Sequence, residues 1–145
     1  MCIRDSYNIS GVCYKAIGRL DAAVKSFEKA LSIKPDYTEV NYNLGLTFQE
    51  LGQLEDAVKS YEKAVALKPD YAEAHNNLGV TLKELGQLDA AVKSYEKAIA
   101  MKPDYVEAIN NLGITFYQLH QMDDAMKCYE TVSYTHLTLP TNREV

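Results

Sequence analysis

Apolar residues in the middle of the chain recur every three or four positions, which is the spacing of one face of an α-helix. Residues 72–85 carry one such stripe, and residues 89–101 carry a second. Gly86 follows the first stripe and predicts a left-handed helix stop. Pro103 ends the second stripe, because proline lacks an amide hydrogen and clashes with the preceding turn. The pattern predicts two helices joined by a short turn.

This helix pair repeats along the chain with a period of 34 residues. Segments 38–71 and 72–105 align without gaps and are identical at 23 of their 34 positions. Self-similarity at this period predicts a linear array in which each unit packs on its neighbours, and it argues against a globular domain with one centre. Each unit opens with an aspartate followed three positions later by a glutamate, which predicts a capping box at Asp36 and Glu39, Asp70 and Glu73, and Asp104 and Glu107.

Small residues at fixed positions of the unit predict where the helices approach each other. Gly79 in the first helix and Ala91 in the second are expected at the point where the two backbones come closest. Ala98 is expected to face the next unit, and Tyr95 is expected to fill the wider gap between the helices. The same residue types recur one period away, so the same packing is predicted in every unit.

Composition and charge narrow the range of functions. Of the 145 residues, 47% are hydrophobic and 24% are charged, as in a folded protein. The net charge of −5 argues against a protein that binds nucleic acid through its phosphates. No apolar run reaches the roughly 20 residues that a membrane-spanning helix needs. We therefore expect no nucleic-acid partner and no membrane insertion.

Residues that could carry chemistry are few and isolated. The three cysteines have neither zinc-site spacing nor the pattern of a disulfide framework, and Cys13 is expected in the core. His75 is accompanied by no third group that would complete a catalytic set, and no phosphate-binding loop or paired carboxylate site is recognisable. The sequence predicts no catalytic residue, no metal site and no cofactor, so the chain is not expected to be an enzyme.

The two ends of the chain share nothing with the repeat. Residues 1–6 can be back-translated to a DNA string whose reverse complement encodes Val-Ser-Tyr-Thr-His, which is the sequence of residues 132–136. An inverted pair in consistent frames is hard to obtain by chance. We interpret residues 1–6 and 132–145 as translated sequencing adaptor on either side of a fragment of a longer gene, and we exclude them from the fold prediction.

The residues that define the period resemble the tetratricopeptide repeat (TPR) family. The family pattern over 34 residues is matched in the third unit, with leucine at the first aromatic position, by Leu78, Gly79, Leu82, Ala91, Tyr95, Ala98 and Pro103. The resemblance implies an all-α, right-handed solenoid of antiparallel helix pairs with about 3.5 repeats. It divides the chain into repeat 1 (7–37, truncated at its start), repeat 2 (38–71), repeat 3 (72–105) and repeat 4 (106–131, truncated at its end).

The same resemblance implies a protein–protein interaction module whose concave groove holds an extended peptide. Asn43, Asn77 and Asn111 recur at one groove position and are similar to the asparagine ladder in the repeats of O-linked N-acetylglucosamine transferase-like proteins. An amide both donates and accepts hydrogen bonds, so a row of amides can bind the backbone of an extended partner. The other expected peptide-binding residues are Asn76, Asn110, Tyr42, Lys83 and Tyr117.

Four alternatives to this function are compatible with the same residues or with the family. The asparagines can belong to the repeat consensus alone and solvate the helix. The array can be the non-catalytic, substrate-recruiting arm of a larger enzyme such as a glycosyltransferase, sulfotransferase or methyltransferase. It can also associate end to end through uncapped repeats. A clamp for a terminal carboxylate, another binding mode of the family, is disfavoured because Glu73 would repel the ligand.

Overall fold

The computed structural model describes residues 3–119, 127, 128 and 130, and regular secondary structure in this part of the chain is entirely helical. Within residues 3–119, seven helices follow one another in order: α1 (Ile3–Ala16), α2 (Leu20–Ile33), α3 (Thr38–Glu50), α4 (Leu54–Leu67), α5 (Ala72–Glu84), α6 (Leu88–Met101) and α7 (Val106–Gln118). They form three helix pairs and the first helix of a fourth, which confirms the all-α solenoid of about 3.5 repeats. The predicted end of repeat 4, apart from isolated positions, and the segment 132–145 lie outside the described residues.

The described helices pack as a linear stack. Each helix packs on the next one in chain order, α1 also touches α3, and α5 touches α7. The buried side chains form two clusters, one around Phe27 and one around Tyr61 and Tyr95. Burial is therefore distributed along the stack between neighbouring pairs, as expected for a repeat array.

A glycine in the first helix of each complete pair makes room for an aromatic ring of the second helix. A Cβ atom built on Gly79 would lie 2.6 Å from Cε1 of Tyr95, and one built on Gly45 would lie 2.6 Å from Cε1 of Tyr61. Both tyrosines are fully buried. The ring of Tyr95 occupies the space beside Gly79, a contact that the predicted approach of the backbones at Gly79 and Ala91 did not include.

The turn inside the third pair is closed by a left-handed glycine. Gly86 has a φ of +83°, and its N–H donates to the carbonyl of Lys83 at 2.9 Å. The N–H of Gln87 donates to the carbonyl of Leu82, also at 2.9 Å. These two bonds form a Schellman motif, which satisfies carbonyls that the end of α5 would otherwise leave unpaired. The predicted left-handed stop is confirmed.

The turn between pairs differs from the predicted capping box. The residue before α5 is Tyr71, and no side-chain hydrogen bond caps the helix. The N–H of Tyr71 donates to the carbonyl of Lys68 at 3.1 Å, so Asp70 lies inside the turn, one residue too early to cap. The capping-box prediction is also wrong for the turns that contain Asp36 and Asp104, where Tyr37 and Tyr105 take the capping position without a side-chain bond.

Two predictions about helix α1 are wrong, namely its start at Tyr7 and the core position of Cys13. The helix begins at Ile3, ahead of Tyr7, and Asp5 in its first turn accepts a hydrogen bond from the hydroxyl of Tyr37 at 3.3 Å. Cys13 is exposed and does not lie in the core. The reason is its phase on the helix: Gly11 is the buried position of α1, and a residue two positions later points to nearly the opposite side.

Candidate functional site

The first helices of successive pairs line a cavity on one side of the array. Its volume is about 430 Å³, which is within the range of protein pockets that bind small ligands or single side chains. The side chains that line it all belong to first helices: Lys15 of α1, Leu46, Gln49 and Glu50 of α3, and Asn77 and Glu84 of α5. We refer to it as the first-helix cavity. It belongs to the face on which the peptide-binding residues were predicted.

Two of the predicted asparagines form hydrogen bonds between successive repeats. Nδ2 of Asn77 donates to the hydroxyl of Tyr42 at 2.9 Å, and Nδ2 of Asn111 donates to Oδ1 of Asn76 at 3.2 Å. Each bond joins residues 35 positions apart, so it crosses from one repeat to the next. The asparagine row therefore contributes to the contact between repeats as well as to the surface.

A buried threonine fixes the backbone one turn after each of these asparagines. The hydroxyls of Thr47, Thr81 and Thr115 are fully buried and donate to the carbonyls of Asn43, Asn77 and Asn111 at 2.8, 2.8 and 2.7 Å. A threonine bonded to the carbonyl four residues earlier satisfies its own hydroxyl inside the helix. The three asparagine positions consequently have the same local support in each repeat.

The predicted peptide-binding residues differ in how much of each is accessible. Tyr117 is 57% exposed, whereas Asn76 is fully buried and its Nδ2 has no hydrogen-bond partner in the described part of the chain. The others are half-buried on the first helices: Tyr42, Asn43, Asn77, Lys83, Asn110 and Asn111. Asn76 thus holds Asn111 from inside the stack, and the half-buried residues keep part of their side chains at the surface.

Aromatic rings pack behind the first-helix cavity. The ring centroid of Tyr42 lies 4.8 Å from that of Tyr71 and 5.9 Å from that of Tyr61. Burial, followed by the neighbouring Tyr42 and the carboxylates of Glu73 and Glu39, raises the pKa of Tyr71 to about 12. The rings form a rigid apolar layer that supports the groove-facing side chains.

The two fully buried tyrosines of repeats 2 and 3 differ in their hydroxyl contacts. The hydroxyl of Tyr61 donates to Oε1 of Gln49 at 2.7 Å. The hydroxyl of Tyr95 is buried without a hydrogen-bond partner in the described residues, and Lys83 occupies the position equivalent to Gln49. The side chain of Thr115 is close enough to lower the pKa of Tyr95 against the larger raising effect of burial, although no hydrogen bond joins the two hydroxyls.

Two features of the face were not predicted. Nζ of Lys15 lies 3.2 Å from Oε1 of Glu50, and both residues line the first-helix cavity. Lys15 stands 34 positions before Gln49, so the period itself could have identified it. The ammonium of Lys68 lies 4.8 Å from the ring centroid of Tyr71, and the recurring Lys-Pro-Asp-Tyr motif places similar contacts at Lys34 with Tyr37 and at Lys102 with Tyr105.

The described residues contain neither a candidate metal-binding group nor a helix that could span a membrane. No group of three or more histidine, cysteine, aspartate or glutamate side chains in that part of the chain is arranged to bind a metal ion. None of the helices α1 to α7 has the length and apolar character needed to cross a membrane. His75, which the sequence placed in no catalytic group, is buried with Nε2 2.8 Å from the carbonyl oxygen of Pro69, and there it tethers the preceding turn.

Comparisons with known proteins agree with this architecture. The chain is similar to a solved structure titled "Crystal structure of MamA", with 25% identity, a TM-score of 0.90, and coverage of 92% of this chain and 78% of that one. A MamA segment from Desulfovibrio magneticus RS-1 has 22% identity, a TM-score of 0.87, and coverage of 92% and 76%. Comparison with curated protein sequences found no match. The TPR repeat model matches residues 13–52, 48–86 and 81–120, so the chain belongs to the TPR repeat family and is a protein–protein interaction module.

Proposed function

We propose that the first helices α1, α3, α5 and α7 form a groove that binds an extended segment of a partner protein. The observation that carries the proposal is the first-helix cavity, which lies on this face and includes Asn77 in its lining. A row of apolar side chains runs along the same helices at the 34-residue period, and it consists of Val12, Leu46, Val80 and Ile114. Val12 and Ile114 are 46% and 39% exposed, so the row offers apolar surface to a partner.

Asparagine side chains would fix the direction and register of the bound segment. Because one N–H of Asn77 is donated to Tyr42, its Oδ1 and its second N–H remain for a partner. Hydrogen bonds contribute about 0.5–1.5 kcal/mol each, so three asparagines supply a few kcal/mol. Micromolar affinity needs about 8 kcal/mol, and the apolar row supplies the remainder by burial.

A selection of random dodecapeptides displayed on phage tests the groove. The native chain is expected to enrich binding peptides. Their affinity should fall at least about tenfold, or about 1.4 kcal/mol, when Asn43, Asn77 and Asn111 are all changed to alanine. Asn43→Ala alone is the cleaner variant, because the side chain of Asn43 forms no hydrogen bond within the described residues. It should weaken binding without changing the melting temperature.

The control variant carries the same kind of truncation on the opposite side of the array. Lys59→Ala and Lys93→Ala change exposed side chains of α4 and α6, and neither should affect peptide affinity. If the three asparagine changes leave affinity unaltered, the asparagines take no part in binding. If no peptide is enriched by the native chain, the groove proposal is wrong.

A further inference from the structure

Negative charge is concentrated on the first helices of the array. The four first helices, α1, α3, α5 and α7, together carry six carboxylates and three cationic side chains, whereas α2, α4 and α6 carry seven carboxylates and six lysines. Five of the six carboxylates are exposed, and they are Glu39, Glu50, Glu73, Glu84 and Glu107. The face proposed to bind a partner is therefore acidic, while the outer face is nearly balanced.

Two of these carboxylates line the first-helix cavity and have unequal partners. Oε1 of Glu50 lies 3.2 Å from Nζ of Lys15 and forms an ion pair with it. Glu84 has no ion pair in the part of the chain that the structure describes. The burial of Tyr61 behind the cavity raises its pKa, and the charges of Glu50 and Glu84 raise it further. Both carboxylates therefore lie near one buried ring, whose hydroxyl is bonded to Gln49 of the lining.

Hydrogen-bond accounting shows which groups of the cavity remain to be satisfied. Nδ2 of Asn77 donates to Tyr42, which leaves Oδ1 of Asn77 as an acceptor. Glu84 can only accept when ionised, and Glu50 keeps a second oxygen beyond the one that Lys15 contacts. The lining also holds N–H donors on Lys15, on the amide of Gln49 and on Asn77, but its two carboxylates outnumber its single ammonium, so the cavity suits a ligand group that carries N–H donors and a positive charge.

We propose that the first-helix cavity binds a lysine or arginine side chain of the segment held in the groove. The aliphatic stem of that side chain would lie on Leu46, and its charged end would reach Glu84, Glu50 and Oδ1 of Asn77. This inference rests on the proposed peptide-binding function. It adds the chemistry of the partner, which is an extended basic segment and not an acidic one.

The same dodecapeptide library, selected in parallel on three chains, tests the inference. The native chain is expected to enrich peptides with arginine or lysine at one recurrent position and to deplete aspartate and glutamate. The double variant Glu50→Gln with Glu84→Gln should still enrich peptides, but without the basic position. A control double variant, Glu62→Gln with Glu96→Gln, removes two exposed carboxylates from α4 and α6 and should select the same peptides as the native chain.

A synthetic peptide from the native selection quantifies the contact. Replacement of its basic residue by citrulline should weaken binding to the native chain about tenfold, as expected for loss of a charge-assisted hydrogen bond of about 1.4 kcal/mol. The same replacement should change binding to the Glu50→Gln, Glu84→Gln variant less than about twofold, because the charge has lost its partners.

The outcomes separate this inference from the function on which it depends. If the native chain enriches peptides that show no preference for arginine or lysine, the cavity does not bind a basic side chain, but the groove proposal stands. A basic preference that persists in the Glu50→Gln, Glu84→Gln variant would place the cation elsewhere and also overturn the assignment. Failure of the native chain to enrich any peptide would reject the groove itself. Melting curves of all variants establish that each remains folded.

Discussion

Repeats 2 and 3 are nearly the same sequence, and their differences are unevenly placed. The first helices, α3 and α5, differ at 7 of 13 aligned positions, whereas the second helices, α4 and α6, differ at 4 of 14. The second helices supply the fully buried aromatic ring and the small residues that let the repeats stack, so few residue types fit there. The first helices differ at buried positions as well as on the groove face. Val40 and Asn41 of α3 are replaced by Ala74 and His75 of α5, and all four side chains are buried.

The differences in the first helices change contacts on the groove face. Tyr42 of repeat 2 accepts a hydrogen bond from Asn77, whereas its counterpart Asn76 accepts one from Asn111. Gln49 pairs with Tyr61, whereas Lys83 leaves Tyr95 without a partner. The comparison indicates that one scaffold presents a different set of groups in each repeat, while the buried residues of its second helices stay the same.

High pH should unfold both repeats, and we expect it to lower stability more than any of the substitutions below. The pKa of Tyr71 is raised to about 12 from its ordinary value of 10.0, chiefly by burial, and burial also raises the pKa of Tyr61 and Tyr95. Between these two values the folded state holds more protons than the unfolded state, so the stability present below pH 10 is lost as pH rises. Melting temperatures should fall steeply from about pH 10 upward, with tyrosinate absorbance appearing together with loss of helix.

The Tyr71→Phe variant provides the matched control for this pH dependence. Its melting temperature should decline less with pH than that of the native chain, since one raised pKa has been removed. Ionisation of all tyrosines at about pH 10 with the helices intact would contradict the burial of these rings.

Substitution of Gly79 should break the packing that repeats 2 and 3 share. In Gly79→Ala the new methyl group would lie 2.6 Å from the ring of Tyr95, and overpacking of this kind costs about 1–3 kcal/mol. Gly86→Ala is the comparison, because no atom lies within 4 Å of the added Cβ and only the φ of +83° is unfavourable. Its expected cost is about 1 kcal/mol. Urea unfolding measures both; an equal or reversed order would contradict the contact between Gly79 and Tyr95.

The helix boundaries can be predicted from the sequence, whereas contacts within the turns and between adjacent repeats cannot. The period and the stops at Gly86 and Pro103 predict the helices, because these signals are local. The capping box failed because the Lys-Pro-Asp-Tyr turn places Asp70 one residue too early, which depends on the turn's own hydrogen bond. Periodicity also selected Asn77, but its bond to Tyr42 could not be predicted, because that contact depends on the offset between adjacent repeats.

Removal of each buried tyrosine hydroxyl should sharpen the contrast between the repeats. Tyr61→Phe loses the 2.7 Å hydrogen bond to Gln49 and should cost about 1 kcal/mol. Tyr95→Phe removes a buried hydroxyl that has no partner in the described residues, so it should leave stability unchanged or raise it by a few tenths of a kcal/mol. Chemical denaturation compares the two variants. Equal losses would mean that the two hydroxyls are satisfied alike, and the contrast would be wrong.

The exchange of one residue should make repeat 3 resemble repeat 2, with the smallest expected effect. Lys83→Gln places an amide oxygen where Gln49 accepts from Tyr61, so the hydroxyl of Tyr95 gains a partner and stability should rise by about 0.5–1 kcal/mol. The gain should vanish in the Tyr95→Phe background, because the hydroxyl that uses the amide is then missing. A double-mutant cycle measured by urea unfolding isolates this coupling. If Lys83→Gln stabilises the chain equally with and without the hydroxyl, the benefit comes from removal of the charge, and the hydrogen-bond difference between the repeats has no energetic consequence.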